Sequence, residues 1–394
     1  MIAELAKKHA EDKILPFWKR CRDERYGGYY GRMDYNLYVG KEVDKGVILH
    51  SRILWFFSNA YLTLKEEENL AYATHAYNFL KEYCYDGECG GVYWSVTYDG
   101  KVRDSTKHTY NQAFAIYALS SYYDATHCEE ALQLAYEIVH IIEEKCRDQI
   151  GYMEAFTKDF VPIENDKLSE NGLLASKTYN TLLHVFEAYT ELYRVDHNPE
   201  IKKRMEAILD QFTQVLYNPE RKMMEVFFDE NMKTLSDLHS FGHDIETAWL
   251  IDRGLDVLNE ESYTGKVSVI TKALTECVYR VAFDGTSLNN EKFKGIVDHT
   301  KIWWVQAEAV VGFINGYQRD VGKQEYLEAA NSIFHFIMEH FVDKREGSEW
   351  FYDLNPEGIP ESKKEIVGPW KCPYHNGRMC FELINRKNQG LEVL

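Results

Sequence analysis

Apolar positions recur at helical spacing along nearly the whole chain. Ile53, Phe57, Ala60 and Leu64 fall on one helical face, as do Ala307, Val310, Val311 and Ile314. Between such stretches lie short glycine or aromatic turns with strand-like flanks: Gly27-Gly28-Tyr29-Tyr30, Gly90-Gly91-Val92-Tyr93, Gly151-Tyr152-Met153, Met223-Met224-Glu225-Val226, Ser287-Leu288-Asn289 and Gly347-Ser348-Glu349-Trp350. Anchored at 28, 91, 151, 224, 288 and 348, they step by 63, 60, 73, 64 and 60 residues. A second series opens helices with polar or aromatic residues near Arg52, Asn111, Asn180, His243, Trp304 and His375, stepping by 59, 69, 63, 61 and 71. Both series count to six and share one period. About sixty residues hold two helices and their loops, whereas tetratricopeptide-type solenoids repeat at about 34. The pattern predicts an all-α chain, an (α/α)6 barrel of six helix pairs with short β-hairpin-like loops.

No linker divides the sequence: of eight prolines, none falls between Pro16 and Pro162. A single domain over residues 1–390 is expected, with Leu391, Glu392, Val393 and Leu394 as an appended tail. In a closed ring, equivalent positions of the six repeats point to the same end. The residues opening the second-series helices should therefore converge on one mouth, and they are rich in His, Arg, Asn and Trp.

Charge narrows the partners. A net charge of -18 argues against nucleic acid and against an anionic membrane surface. No run approaches the roughly 18 apolar residues of a membrane span. The start, Met1-Ile2-Ala3-Glu4-Leu5-Ala6-Lys7-Lys8, is charged and lacks a signal-peptide apolar core. The eight cysteines form no CxxC pair, which fits free thiols in a reducing compartment. A cytoplasmic monomer is the expectation.

Candidate chemistry gathers on the second series. His243, Glu246 and Trp249 share one helical face, as do Asn180 and His184, and Trp304 and Glu308. Trp303 and Trp304 cannot both face inward on one helix, so at least one should face the cavity or its mouth. His375 follows a loop with two prolines and two glycines over 368–377. The other histidines, among them His50, His108, His127, His197 and His239, are taken as structural. There is no HExxH, no dinucleotide-binding GxGxxG, no GxSxG elbow and no P-loop, so neither metal nor nucleotide is implied. Histidines with an arginine and no cofactor suit proton transfer beside a carbonyl, because imidazole titrates near neutrality. The C2 proton of an open-chain aldose is such a proton. Arg52 suits the enediolate left behind, and tryptophan faces suit sugar rings. Glu246 and Glu308 also leave open a carboxylate-pair glycosidase, and tryptophans alone would serve a non-catalytic sugar-binding protein.

The chain resembles the N-acylglucosamine 2-epimerase superfamily. The matching segments are Asp44 to Trp55, Lys107-His108-Thr109-Tyr110-Asn111, Lys177-Thr178-Tyr179-Asn180 with His184, Phe241 to Glu246, Trp303-Trp304-Val305-Gln306-Ala307-Glu308, and Gly368 to Arg378. They span nearly the whole chain in order, and the last is the most specific. The resemblance implies an (α/α)6 barrel that epimerises the reducing-end sugar of a β-1,4-linked disaccharide such as cellobiose or lactose without a cofactor. It implies His243 and His375 as the acid/base pair, His184 in ring opening or sugar positioning, and Arg52 as enediolate stabiliser. Tyr110, Asn180, Glu246, Trp304, Glu308 and Trp370 would line the sugar site. The nearest rival is another member of the superfamily, an N-acylglucosamine 2-epimerase or an aldose–ketose isomerase acting on mannose.

Overall fold

The computed structural model describes residues 1–168, 173–360 and 363–394. Six inner helices, α3 (Val47–Leu64), α5 (Thr109–Thr126), α7 (Tyr179–Asp196), α9 (Phe241–Leu258), α11 (Trp303–Arg319) and α13 (Tyr374–Asn388), form a ring. Each packs on the next, and α13 closes against α3. Outside them lie α1 (Ile2–His9) with α2 (Leu15–Arg20), α4 (Glu68–Phe79), α6 (Glu129–Ile141), α8 (Pro199–Gln211), α10 (Glu261–Val281) and α12 (Gln324–Phe336). The predicted (α/α)6 barrel is therefore the observed fold. The sixth pair is made by the two ends of the chain, α1 against α13. Leu394 is buried, and its carbonyl accepts a hydrogen bond from Ala3 N at 3.0 Å.

The inner helices are buried on almost every side, because outer helices cover one face and the ring's axis the other. In α3, every residue from Val47 to Ser58 is buried. The amphipathic stripe belongs instead to outer helices such as α6 and α8, which keep one wet face. Four inner helices end on a left-handed residue, Lys65, His127, His197 and Asn259, which turns the chain sharply into the next outer helix. His127 and His197 thus have a structural place.

Each glycine or aromatic turn follows an outer helix. All six close the same antiparallel bridge: Arg22 with Tyr29, Tyr85 with Val92, Arg147 with Tyr152, Tyr217 with Met224, Phe283 with Leu288, and Val342 with Trp350. Inner-helix side chains pin several of these turns. His50 Nε2 accepts from Tyr29 N at 2.9 Å, and Gln112 and Gln306 bind both backbone groups of Val92 and Leu288. Gly28 sits at φ +62°, and a Cβ there would lie 2.7 Å from the His50 ring, so this turn needs glycine.

A buried lysine precedes five of the six inner helices. Lys45 meets Asp23, Lys107 meets Asp86, Lys177 meets Asp148, Lys301 meets Asp284 and Lys371 meets Glu349; in the remaining repeat His239 meets Asp244. The five lysine pairs tie their hairpins to the helix starts, and in the remaining repeat Met224 N donates to Asp244 Oδ1, so the mouth of the barrel is fixed all round. Among the described residues, no helix is long and apolar enough to cross a membrane.

Candidate active site

The six inner helices begin at one end of the barrel, and their first turns surround a cavity of about 250 Å³. Among the described residues it is lined by Arg52, Tyr110, Lys167, Leu168, Asn180, His184, His243, Glu246, Trp303, Trp304, Tyr352, Trp370 and His375. Two sequence-predicted residues are missing from this wall. Glu308 and Trp249 lie beneath it: the Trp249 indole N–H donates to Glu308 Oε2 at 2.9 Å, so Trp249 supports the floor and faces no sugar. Trp303 and Trp304 both reach the cavity, because they open α11, where a helix end presents adjacent residues together. A larger cavity, about 520 Å³, lies at the opposite mouth, but its arginines are tied to carboxylates such as Asp124, Asp256 and Glu382.

The three histidines are held alike, through Nδ1. His375 Nδ1 is 2.7 Å from Glu308 Oε1, His184 Nδ1 is 2.7 Å from Glu187 Oε2, and His243 Nδ1 is 2.7 Å from Ser240 Oγ. That leaves Nε2 of each ring for a ligand. The rings of His243 and His375 both lie against Trp304, at 4.6 and 5.6 Å between centroids. The pair is inequivalent, since only His375 has a carboxylate behind it.

Arg52 donates to the Tyr110 hydroxyl at 2.8 Å and lies over the Phe114 and Tyr374 rings at 4.2 and 4.8 Å. Its Nε has no hydrogen-bond partner among the described residues, and neither do Asn180 Oδ1 or the Trp303 indole N–H. Unpaired polar groups in a cavity wall suit a ligand rich in hydroxyls. The helix N-termini converging on the cavity add positive potential there.

Below the floor lies a compact ionic group. Arg378 bridges Glu187, Glu246 and Glu308, with Glu187 at 2.5 Å and Glu308 at 2.6 Å. Tyr374 donates to Glu187 Oε1 at 2.6 Å. Burial, and then the charge of Glu308, raise the proton affinity of Glu246. Burial raises that of Glu308 too, but three donors, from Trp249, His375 and Arg378, point at Glu308, whereas Arg378 alone is bonded to Glu246. The pair titrates as a unit, and Glu246, with the fewer donors, is the more readily protonated member.

Burial holds all three histidines neutral. It drives His243 down to about 3, helped by the neighbouring His184. His375 is pushed well below the usual imidazole range by burial, then by Arg378 and Arg52. His184 is also lowered by burial, with Glu187 pulling the other way. A neutral imidazole with its Nδ1 side anchored is a ready base at Nε2.

Glu246, Glu308 and His375 offer donor atoms within 4.8 Å of one another, the spacing of a metal site. The Arg378 guanidinium already stands between these carboxylates, so a divalent cation would have to displace it.

Sequence reasoning missed Arg378, Glu187, Ser240 and Tyr374. A signal for two of them was present. Each site histidine is followed three residues later by a charged residue: His184 by Glu187, His243 by Glu246, His375 by Arg378.

The fold and site together define an (α/α)6 barrel with a histidine-lined axial cleft. The N-acylglucosamine 2-epimerase (GlcNAc 2-epimerase) family model matches residues 27–377. A cellobiose 2-epimerase of Ruminococcus albus is 49% identical over 386 residues, covering 98% of this chain and 99% of that protein. A crystal structure of a sugar epimerase from a ruminal bacterium superposes with a TM-score of 0.97 at 48% identity, covering 98% of this chain and 99% of the other. A D-mannose isomerase structure, 19% identical with a TM-score of 0.84 over 97% of this chain and 98% of its own, shares the fold. The chain belongs to the N-acylglucosamine 2-epimerase family.

Proposed function

We propose that this chain is a cofactor-independent isomerase, a cellobiose 2-epimerase, that interconverts glucose and mannose at the reducing end of cellobiose and related β-1,4-disaccharides such as lactose. The observation that carries the proposal is the pair of neutral, Nδ1-anchored histidines, His243 and His375, against one tryptophan and close to Arg52. The similarity to the Ruminococcus albus enzyme supports the substrate.

In this reading the sugar ring opens first, the anomeric hydroxyl losing its proton as O5 gains one. His184 assists, and the protonated Glu246 carboxyl supplies a hydrogen-bond donor at the cavity wall. Nε2 of one histidine of the pair then removes the C2 proton. The electron pair moves through the C1–C2 bond to O1, giving a cis-enediolate. Arg52 and the converging helix N-termini stabilise its charge. The other histidine, having taken a proton from solvent as the sugar binds, delivers it to the opposite face of C2; the first returns the proton it abstracted to solvent, and the ring closes as the epimer. Tyr110, Asn180, Trp303, Trp304 and Trp370 hold the sugar.

Hydrolysis fits less well. A glycosidase needs two carboxylates facing the scissile bond, and Glu308 is sealed behind His375. A cytoplasmic monomer with no nucleic-acid or membrane partner completes the proposal. The net charge of -18 and the ring closure by α1, α3 and α13 support it.

Cellobiose in deuterated water, with no metal or nucleotide added, gives the test. NMR should show 4-O-glucosyl-mannose with deuterium at C2. Free glucose would mean hydrolysis, a ketose would mean isomerisation, and no exchange would remove the proposal.

A further inference from the structure

Two of the site histidines have a carboxylate behind them, and one residue holds both carboxylates. Arg378 Nη1 binds Glu187 Oε1 at 2.5 Å, while Glu187 Oε2 holds His184. Arg378 Nη2 binds Glu308 Oε1 at 2.6 Å, the same oxygen that holds His375. The acids come from two different inner helices, α7 and α11, and the arginine from a third, α13. Arg378 is itself buried and lies outside the cavity wall, so it meets no substrate.

We propose that Arg378 is a positioning residue whose single guanidinium fork aligns the orienting carboxylates of His184 and His375 together. This rests on the acid/base roles assigned above and goes beyond them. The geometry needs a planar cation with donors on two separate nitrogens. A lysine would supply the charge as a point and could not span Glu187 and Glu308 in the same way. The network also sets how the site titrates. The groups facing His375 are Glu308 from α11, Arg52 from α3, His184 and Glu187 from α7, and Arg378 and Tyr374 from its own helix. Glu246 from α9 joins through Arg378. Removing the guanidinium charge should ease protonation of His375.

The test compares wild type, Arg378→Lys and Arg378→Ala for cellobiose turnover and for C2 proton exchange. Arg378→Lys should fold and lose on the order of 10²-fold in kcat with little change in KM, since the loss is one of alignment. Arg378→Ala should lose more, regain activity with millimolar guanidinium, and show the acid limb of its pH–rate profile moved to higher pH. An inactive wild type would remove the proposed function itself. An active wild type with Arg378→Lys within a few-fold of it would overturn the positioning role alone. Should neither variant fold, ¹⁵N-arginine NMR of the wild type decides: slowly exchanging, resolved Nη protons on Arg378 support the clamp, and a single averaged signal refutes it.

Discussion

Replacing Glu308 by glutamine isolates the carboxylate behind His375 while keeping its shape. Three donors point at Glu308 in the native site: the Trp249 indole N–H at 2.9 Å, the His375 ring at 2.7 Å and Arg378 at 2.6 Å. An amide has one oxygen, and its NH2 would face one of these donors. At least one buried donor is left without an acceptor, a cost of about 1–3 kcal/mol. The lost negative charge is replaced nearby. Burial and then the Glu308 charge raise the proton affinity of Glu246; with Glu308 neutral the second cause is gone, and Glu246 is drawn back toward its ionised form beside Arg378. Glu308→Gln should therefore fold. Catalysis has no such substitute. The His375 ring loses the anion that fixes its tautomer and steadies its imidazolium form, and orienting carboxylates of this kind are worth on the order of 10²–10⁴-fold in kcat. The assay is C2 deuterium exchange into cellobiose at saturating substrate, with circular dichroism and a denaturant midpoint as fold controls. A correctly folded Glu308→Gln variant within a few-fold of wild-type kcat would refute the argument.

Three further outcomes are expected. His243→Ala and His375→Ala should each abolish turnover with the fold retained; substantial activity in either, followed by product NMR, would sink the two-histidine assignment. Lys107→Met strands Asp86 of a fully buried pair, which should cost about 3–5 kcal/mol in a denaturant titration; an unchanged midpoint would contradict it. Acid should destabilise the fold. Burial, as the leading cause, lowers His50 and His243 to about 3 and His9 and His108 to about 4, from 6.5. Below about pH 6.5 the unfolded chain binds protons that the native state refuses, so stability falls as pH drops, by about 1.4 kcal/mol per pH unit for each group. Glu154, raised by burial to about 7, and Glu246, raised by burial and then by Glu308 to about 8, offset two of the four; a denaturation midpoint unchanged between pH 7 and 5 would contradict this sign.

The number of helix pairs, and the end of the barrel that carries the site, were legible in the periodicity of the chain. The reason is periodic: a repeat of about sixty residues can bury its apolar faces only by stacking on its neighbours, and residues in one phase of it must share one end. Hence phase gathers Arg52, Asn180, His184, His243, Trp304 and His375, all of which line the cavity; in the second repeat, phase points to Asn111, which instead donates to Tyr93 O, and Tyr110 is implied by the family resemblance. The histidines set aside as structural include His50, which holds Tyr29, and His239, paired with Asp244. Depth was beyond the sequence. Glu246 and Glu308 occupy the same kind of helix position, yet one lines the cavity and the other is sealed under His375, because neighbouring helices present different side chains to each. Trp249 shares a helical face with His243 and Glu246 but sits lower, where its indole meets Glu308. Tertiary structure alone decided which carboxylate backs which histidine, and that Arg378 joins them, since those contacts cross four helices up to 191 positions apart in the chain. Local pattern sets which way a residue faces; only packing sets what it meets there.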